Sequence, residues 1–400
     1  MRLILSLGLS LIVSVSCLAQ PAGLRSEGRE FYLGYLHPSF NDVARAELKA
    51  VYKVFALVSS RESNIIKLSY FDKVSHQEQP ATSYTVEGGK TVMIPIDWQR
   101  MQAADSGDRA EYTSCHITTK HPATVHYFST GANSGGAYLA LPVSAWGKKY
   151  SVASYSDNGS GAGAFIGALR ASAIDTAGGI FTVIAAYDNT KVTITPTAMT
   201  MGGHIGVNQG PGATGKPVPY TVTLARGQSY MVASRSAFKE GDDDISASVI
   251  SADKPVAVFA GHGNANVGDG TSFSLDSRDF MIEQMIPFEF WTSTGHISIP
   301  MIDSPNSNGD GVGEDLRVFV ADDKVPIKVY IASGGLFETS TGTFMPPSEF
   351  TNCITPTHMY CDTVDDKTVR FMVVQYDLRN HGNAAPFPAP IGQPRATADN

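Results

Sequence analysis

The sequence predicts an all-β protein of tandem antiparallel β-sandwich-like units, two full and one partial, behind a short N-terminal signal peptide. Three observations carry this. Lys191-Val192-Thr193-Ile194-Thr195 and Tyr220-Thr221-Val222-Thr223-Leu224 alternate polar and apolar residues, and Ile66, Leu68 and Tyr70 share one face of another run; that is the period of a half-buried strand. Clusters of Gly, Pro, Asn and Asp separate the runs, as turns require. A set of blocks also recurs in the same order along the chain.

In chain order, Arg2 followed by the apolar run from Leu3 to Leu18 reads as an export signal. Cys17-Leu18-Ala19 places small residues where a peptidase cuts, so residues 1–19 are removed. A lipidated Cys17 would need Leu where Ser14 stands. Residues 42–52 are the one stretch with a helical pattern, with Asp42 as its N-cap. The first unit is assigned to 28–157 and the second to 178–302. Phe55-Ala56-Leu57-Val58 matches Thr182-Val183-Ile184-Ala185, and Tyr84 to Lys90 matches Tyr220 to Gln228. Thr119-Lys120-His121-Pro122-Ala123 matches Ala252-Asp253-Lys254-Pro255-Val256, with His121-Pro122 read as a turn. Pro142 with Trp146 matches Pro287 with Trp291, and both tryptophans are expected to be buried anchors. A partial third unit spans 316–380, and a Pro-rich tail follows at 381–400.

The composition narrows the function. The charge is -8, and removal of Arg2 leaves 29 basic against 38 acidic residues. With no basic cluster, a nucleic-acid partner is excluded. No later run reaches the ~20 apolar residues of a membrane-spanning helix, so no transmembrane segment is expected. Three cysteines remain after export: Cys115, Cys353 and Cys361. An odd number allows one internal bridge at most. Cys353 and Cys361 flank a short loop, and a bridge there contributes about 2.5 kcal/mol. Cys115 opens an apolar strand pattern and reads as a buried free thiol.

Four blocks resemble the N-terminal domain of the IgG Fc-binding protein family. They are Gly28 to Gly34, Leu141 to Tyr150, Phe181 to Ile194 and Ser251 to Phe259, and the likeness extends over roughly residues 28 to 330. All four are strand and turn patterns, and none is a catalytic motif. The resemblance implies a secreted binding module, of a kind found in mucus-associated and bacterial surface proteins. The chain departs from the large mucus protein by lacking its cysteine-rich modules. Immunoglobulin Fc is accordingly not the expected partner.

Several segments invite specific chemistry. Asp303, Asn306, Asn308, Asp310 and Asp315 supply oxygen donors in a loop with Gly309 and Gly311, a pattern that suits Ca²⁺. Arg317 stands where an EF-hand needs its bidentate Glu, so either an irregular Ca²⁺ loop or a solvated turn lies here. Asp242-Asp243-Asp244 reads as an exposed loop. His116, His121 and His126 recur every five residues, a spacing that alternates strand faces and keeps them from converging in one strand. His262 and His296 have no sequence relation that joins them. Gly159-Ser160-Gly161-Ala162-Gly163 has Asn158 where a nucleophile elbow needs Gly, and no Lys-Ser/Thr pair for a phosphate loop. Asn158-Gly159-Ser160 is a glycosylation sequon for a eukaryotic host.

Two function classes remain. One is a non-enzymatic extracellular binding or adhesion protein for a glycoprotein or mucin-like ligand, using loops 157–163, 202–215 and 303–315. The other is a glycan-acting hydrolase, which needs two carboxylates about 5–10 Å apart in a cleft. Export, the repeat and the lack of an intact catalytic motif favour the first, with no catalytic residue and no cofactor beyond the candidate Ca²⁺.

Overall fold

The computed structural model describes residues 24–36, 52–103, 107–131, 135–155, 177–204, 206, 217–235, 244–265 and 279–291, and strand segments between 315 and 376. The signal, most of the 42–52 segment, Asn158 with the glycines after it, His296 and the tail lie outside these residues.

The fold is all-β. Its strands are Gly28–Leu33 (β1), Lys53–Ser60 (β2), Asn64–Tyr70 (β3), Thr82–Val86 (β4), Lys90–Ile96 (β5), Gly107–Glu111 (β6), Cys115–Thr130 (β7), Gly135–Ala140 (β8) and Gly147–Ser151 (β9). They continue as Ala177–Ala185 (β10), Thr190–Thr195 (β11), Tyr220–Leu224 (β12), Ser229–Arg235 (β13), Val249–Ala265 (β14) and Asp279–Gln284 (β15). One short helix, Trp98–Met101 (α1), follows β5. Downstream lie Asp315–Val320 (β16), Ile327–Tyr330 (β17), Phe337–Glu338 (β18), Phe344–Met345 (β19), Thr351–Ile354 (β20), Met359–Tyr360 (β21) and Phe371–Tyr376 (β22).

Two antiparallel sheets form the body. The first runs β4-β3-β7-β2-β5, with β1 and β8 also on β7; the second runs β12-β11-β14-β10-β13-β6, with β9 and β15 also on β14. Strand for strand, β1 to β5, β7 and β8 correspond to β9 to β13, β14 and β15. Each unit is built on one long strand. The first half of β7 pairs with β1 and β3 and its second half with β2 and β8.

The change of partners falls at residues 119–122. Gly28 opposes Ala123 while Glu30 opposes Thr118, so three extra residues bulge from β7. Gly147 opposes Val256 and Lys149 opposes Ser251, the same step in β14. The predicted turn at His121-Pro122 is therefore a bulge inside a continuous strand. Pro122 has no N–H for a ladder, and a bulge is where a strand tolerates that. Asn64 fixes it, donating from Nδ2 to the His121 carbonyl at 2.8 Å and accepting the His121 N–H at 3.0 Å.

Residues 147–151, which the sequence reading groups with the first unit, pair in the second sheet. So does β6, which extends from the first unit to the free edge of β13. The opening glycines share one reason. A Cβ at Gly28 would stand 2.2 Å from Pro142 Cβ, and one at Gly147 2.3 Å from Pro287 Cβ. Each Pro starts a single 3₁₀ turn that ends at a buried tryptophan. Trp146 Nε1 donates to the Leu141 carbonyl at 3.0 Å and Trp291 Nε1 to the Ile286 carbonyl at 2.8 Å.

The central strand β10 of the second sheet is buried on both faces. Ile180 and Ile184 of β10 join the core shared with the first unit, while Phe181, Val183 and Ala185 face a second core that includes Trp291 and Phe319 of β16. Its run from Ile180 to Ala185 is apolar apart from the buried Thr182, as a doubly covered strand requires, and each large apolar side chain so buried contributes roughly 1.5–3 kcal/mol. Further on, β16 pairs with β22, β17 with β20 and β21, and β18 with β19. Among the described residues, no helix is long and apolar enough to cross a membrane.

Candidate functional site

The first sheet presents β1, β7 and β3 side by side. Tyr32, His116 and Ser69 form one row, and Glu30, Thr118 and Lys67 the next. The connection from β3 to β4 folds back over them. Asp72 organises it, accepting the amides of Val74 at 3.1 Å and Ser75 at 2.6 Å. The Gln79 amide returns to the Tyr70 carbonyl, and Phe71 bridges Glu78. Glu78 is thereby placed over β3 and β7. The resulting cleft, about 430 Å³, is lined by Lys67, Ser69, Glu78, Gln79, Pro80, Ala81, His116 and Thr118.

At its centre, His116 lies between two carboxylates. Nδ1 is 2.6 Å from Glu78 Oε1 and Nε2 is 3.1 Å from Glu30 Oε1. Carboxylates only accept, so both hydrogen bonds form only when the ring carries both protons. The imidazole is buried and stacks on Tyr32 at 4.3 Å and 17°. Glu78 Oε1 also accepts from Ser69 Oγ at 2.6 Å, and its Oε2 accepts from Arg226 Nη1 at 2.8 Å. Partial burial pushes the Glu78 carboxyl up, but bonds from Ser69 and His116, the His116 charge and Arg226 outweigh it and hold the pKa at about 2. Burial pushes the Tyr32 hydroxyl up.

Arg226 belongs to the second unit. It lies in the turn between β12 and β13, 5.6 Å above the Phe71 ring. Gly227 beside it has φ +80°, and a Cβ there would come within 2.4 Å of that ring. Only glycine lets this turn dock on the first unit, so the charge that completes the site arrives from its neighbour.

The structure separates the three histidines named by the sequence. His121 sits at the bulge, 3.4 Å from Glu62, and His126 lies on another face near Phe128. His262 is buried in β14. Cys115 is a buried free thiol whose pKa burial raises. Of the Ca²⁺ candidates, Asp303, Asn306, Asn308 and Asp310 lie outside the described residues, and Asp315 begins β16. Cys353 lies in β20 opposite Lys328 and Tyr360, and Cys361 is outside the described residues. Sequence reasoning missed Glu30, Ser69, Glu78 and Arg226, because residues far apart in sequence, such as Glu78 and Arg226 at a separation of 148, meet only in the fold. No group of three or more metal-ligating side chains is present among the described residues.

No curated protein matches the chain. Among solved structures, a variant of the major pilin from Streptococcus pyogenes is 10% identical, with 58% of this chain and 97% of that chain covered at a TM-score of 0.16. An anti-sigma factor domain-containing protein is 10% identical, covering 64% of this chain and 81% of that chain at a TM-score of 0.12. Neither score carries an argument about fold. A family model described as IgGFc binding protein matches residues 136–387, more than half of the sequence, and the chain therefore belongs to the IgGFc binding protein family.

Proposed function

We propose that the chain is an exported, non-enzymatic binding protein that recognises a glycoprotein, mucus or other cell-surface ligand, with the cleft over β1, β3 and β7 as its recognition surface. Family membership supports a binding role. The observation that carries the reading further is the saturation of the cleft's charged groups. Glu78 is held at about 2 by three partners and both His116 nitrogens are engaged. A general acid or base works with a pKa near the operating pH, and a carboxyl held this low is a fixed acceptor instead. The imidazole also fills the gap between the two carboxylates, where a hydrolase would need a water or the scissile bond. Lys67, Gln79 and Thr118 add polar groups around the short apolar surface of Pro80 and Ala81, a mixture suited to a hydroxyl-rich ligand. Loops 157–163, 202–215 and 303–315 are proposed as further contacts.

The test is a glycan and mucin array probed with the tagged mature chain, with and without Ca²⁺, and with immunoglobulin Fc as a separate probe. A glycan or mucin hit without product release is the expected outcome. Turnover of any arrayed glycan by the pure protein overturns the reading. Chelator sensitivity would support a Ca²⁺ role, for which 303–315 is the proposed site.

A further inference from the structure

We propose that the side of the first unit formed by the β5 edge and the outward face of β2, β5 and β7 is a docking surface for a second copy of this chain. The correspondence between the two units carries the argument. In the second unit, the equivalent side is covered twice over. Ile180, Ile184, Met231, Phe259 and Ile282 point from its outward face into the core shared with the first unit. Its edge strand β13 receives β6 from the first unit, with Ser229 opposite Glu111, Tyr230 opposite Ala110 and Val232 opposite Gly107.

The registers identify the matching surface on the first unit. Gly28 opposes Ala123 as Gly147 opposes Val256, which makes His126 the counterpart of Phe259. His126 opposes Leu57 and Leu57 opposes Met93, whereas Phe259 opposes Thr182 and Thr182 opposes Met231. Met93 therefore stands where the second unit has the buried Met231, and Phe55 where it has Ile180. Yet Met93 is 62% exposed, and Phe55, Leu57 and Phe128 are half-buried. The Phe55 and Phe128 rings stack at 5.4 Å, and neither belongs to a buried core. β5 is also the terminal strand of its sheet.

The part of β5 that matches the β6-receiving row is residues 91–94. Pro95 lies just past it, so the backbone N–H groups of the row itself are intact. A half-exposed apolar face beside an open edge is a surface that sheet proteins otherwise cover or blunt. Within this chain, the equivalent surface is filled by a unit of the same chain. The occupant that fits is therefore another copy, docked by joining different faces of two molecules, head to tail.

The test is sedimentation of the full mature chain over a concentration series, as wild type, Met93→Lys and Met93→Leu, with the melting temperature of each. The expected result is reversible association of the wild type, retained by Met93→Leu. Met93→Lys should weaken it at least about tenfold, since a charge would be desolvated at the centre of the contact, with melting unchanged. Wild type that stays monomeric throughout overturns the proposal, as does association that Met93→Lys leaves intact. Neither outcome depends on the ligand of the cleft.

Discussion

Replacing Glu78 by Gln probes the electrostatics of the cleft directly. In the native chain, one carboxylate oxygen takes hydrogens from Ser69 and His116 and the other from Arg226. Those partners hold the folded pKa at about 2, below the unfolded value of about 4.3. The unfolded state therefore binds the proton first as pH falls. The stabilisation is complete above about pH 4.5 and is lost progressively toward pH 2. A displacement of this size corresponds to about 3 kcal/mol by linkage. The Glu78 side chain is 28% exposed and the residue as a whole is exposed, so solvent screening reduces the figure to roughly 1–2 kcal/mol. The assay is urea denaturation of both proteins at a series of pH values from 7 downward. The stability difference should narrow as the pH falls from about 5 toward 2. A difference that stays the same across the series would show that the carboxylate is not held by these charges.

Other perturbations address the frame around the site. Gly227→Ala should cost roughly 2–3 kcal/mol, combining a strained φ with overlap on Phe71, and a loss well under 1 kcal/mol on denaturation would mean the inter-unit turn is not docked. Trp146→Ala and Trp291→Ala should each cost about 3–5 kcal/mol through the cavity they leave; near-native melting of either would remove its role as an anchor. Cys115 should resist a thiol reagent until the chain unfolds, because burial both hides the thiol and disfavours the thiolate. Rapid labelling of the native chain would contradict this.

The sequence makes the fold class, the repeat and the two tryptophan turns legible, because alternation and turn chemistry are local. The register of the repeat is harder to read. The sequence match sets Phe55 against Thr182, whereas the pairing sets it against Ile180; Tyr84 likewise matches Val222 rather than Tyr220. A two-residue slip keeps every side chain on its face, so pattern alone does not detect it. β6 carries Gly107-Asp108-Arg109-Ala110-Glu111 with no apolar alternation, and it is a strand only because β13 offers an edge. β9 had a usable signal, since Gly147-Lys148 repeats Gly28-Arg29 at the head of each unit. The site had less. His116 stood out only beside His121 and His126, and its real partners come from β1, the β3–β4 connection and the second unit.

The central claim is that the cleft over β1, β3 and β7 binds the ligand. Thr118 lines it beside Lys67, outside the hydrogen bonds that link Glu78, His116, Ser69 and Arg226. Thr118→Tyr would fill the cleft while leaving that network in place. The most direct measurement is calorimetric titration of the array hit into the wild-type and Thr118→Tyr chains. The account predicts at least a tenfold loss of affinity, about 1.4 kcal/mol, with unchanged melting. Equal affinity of the two proteins would contradict it and place recognition elsewhere on the molecule.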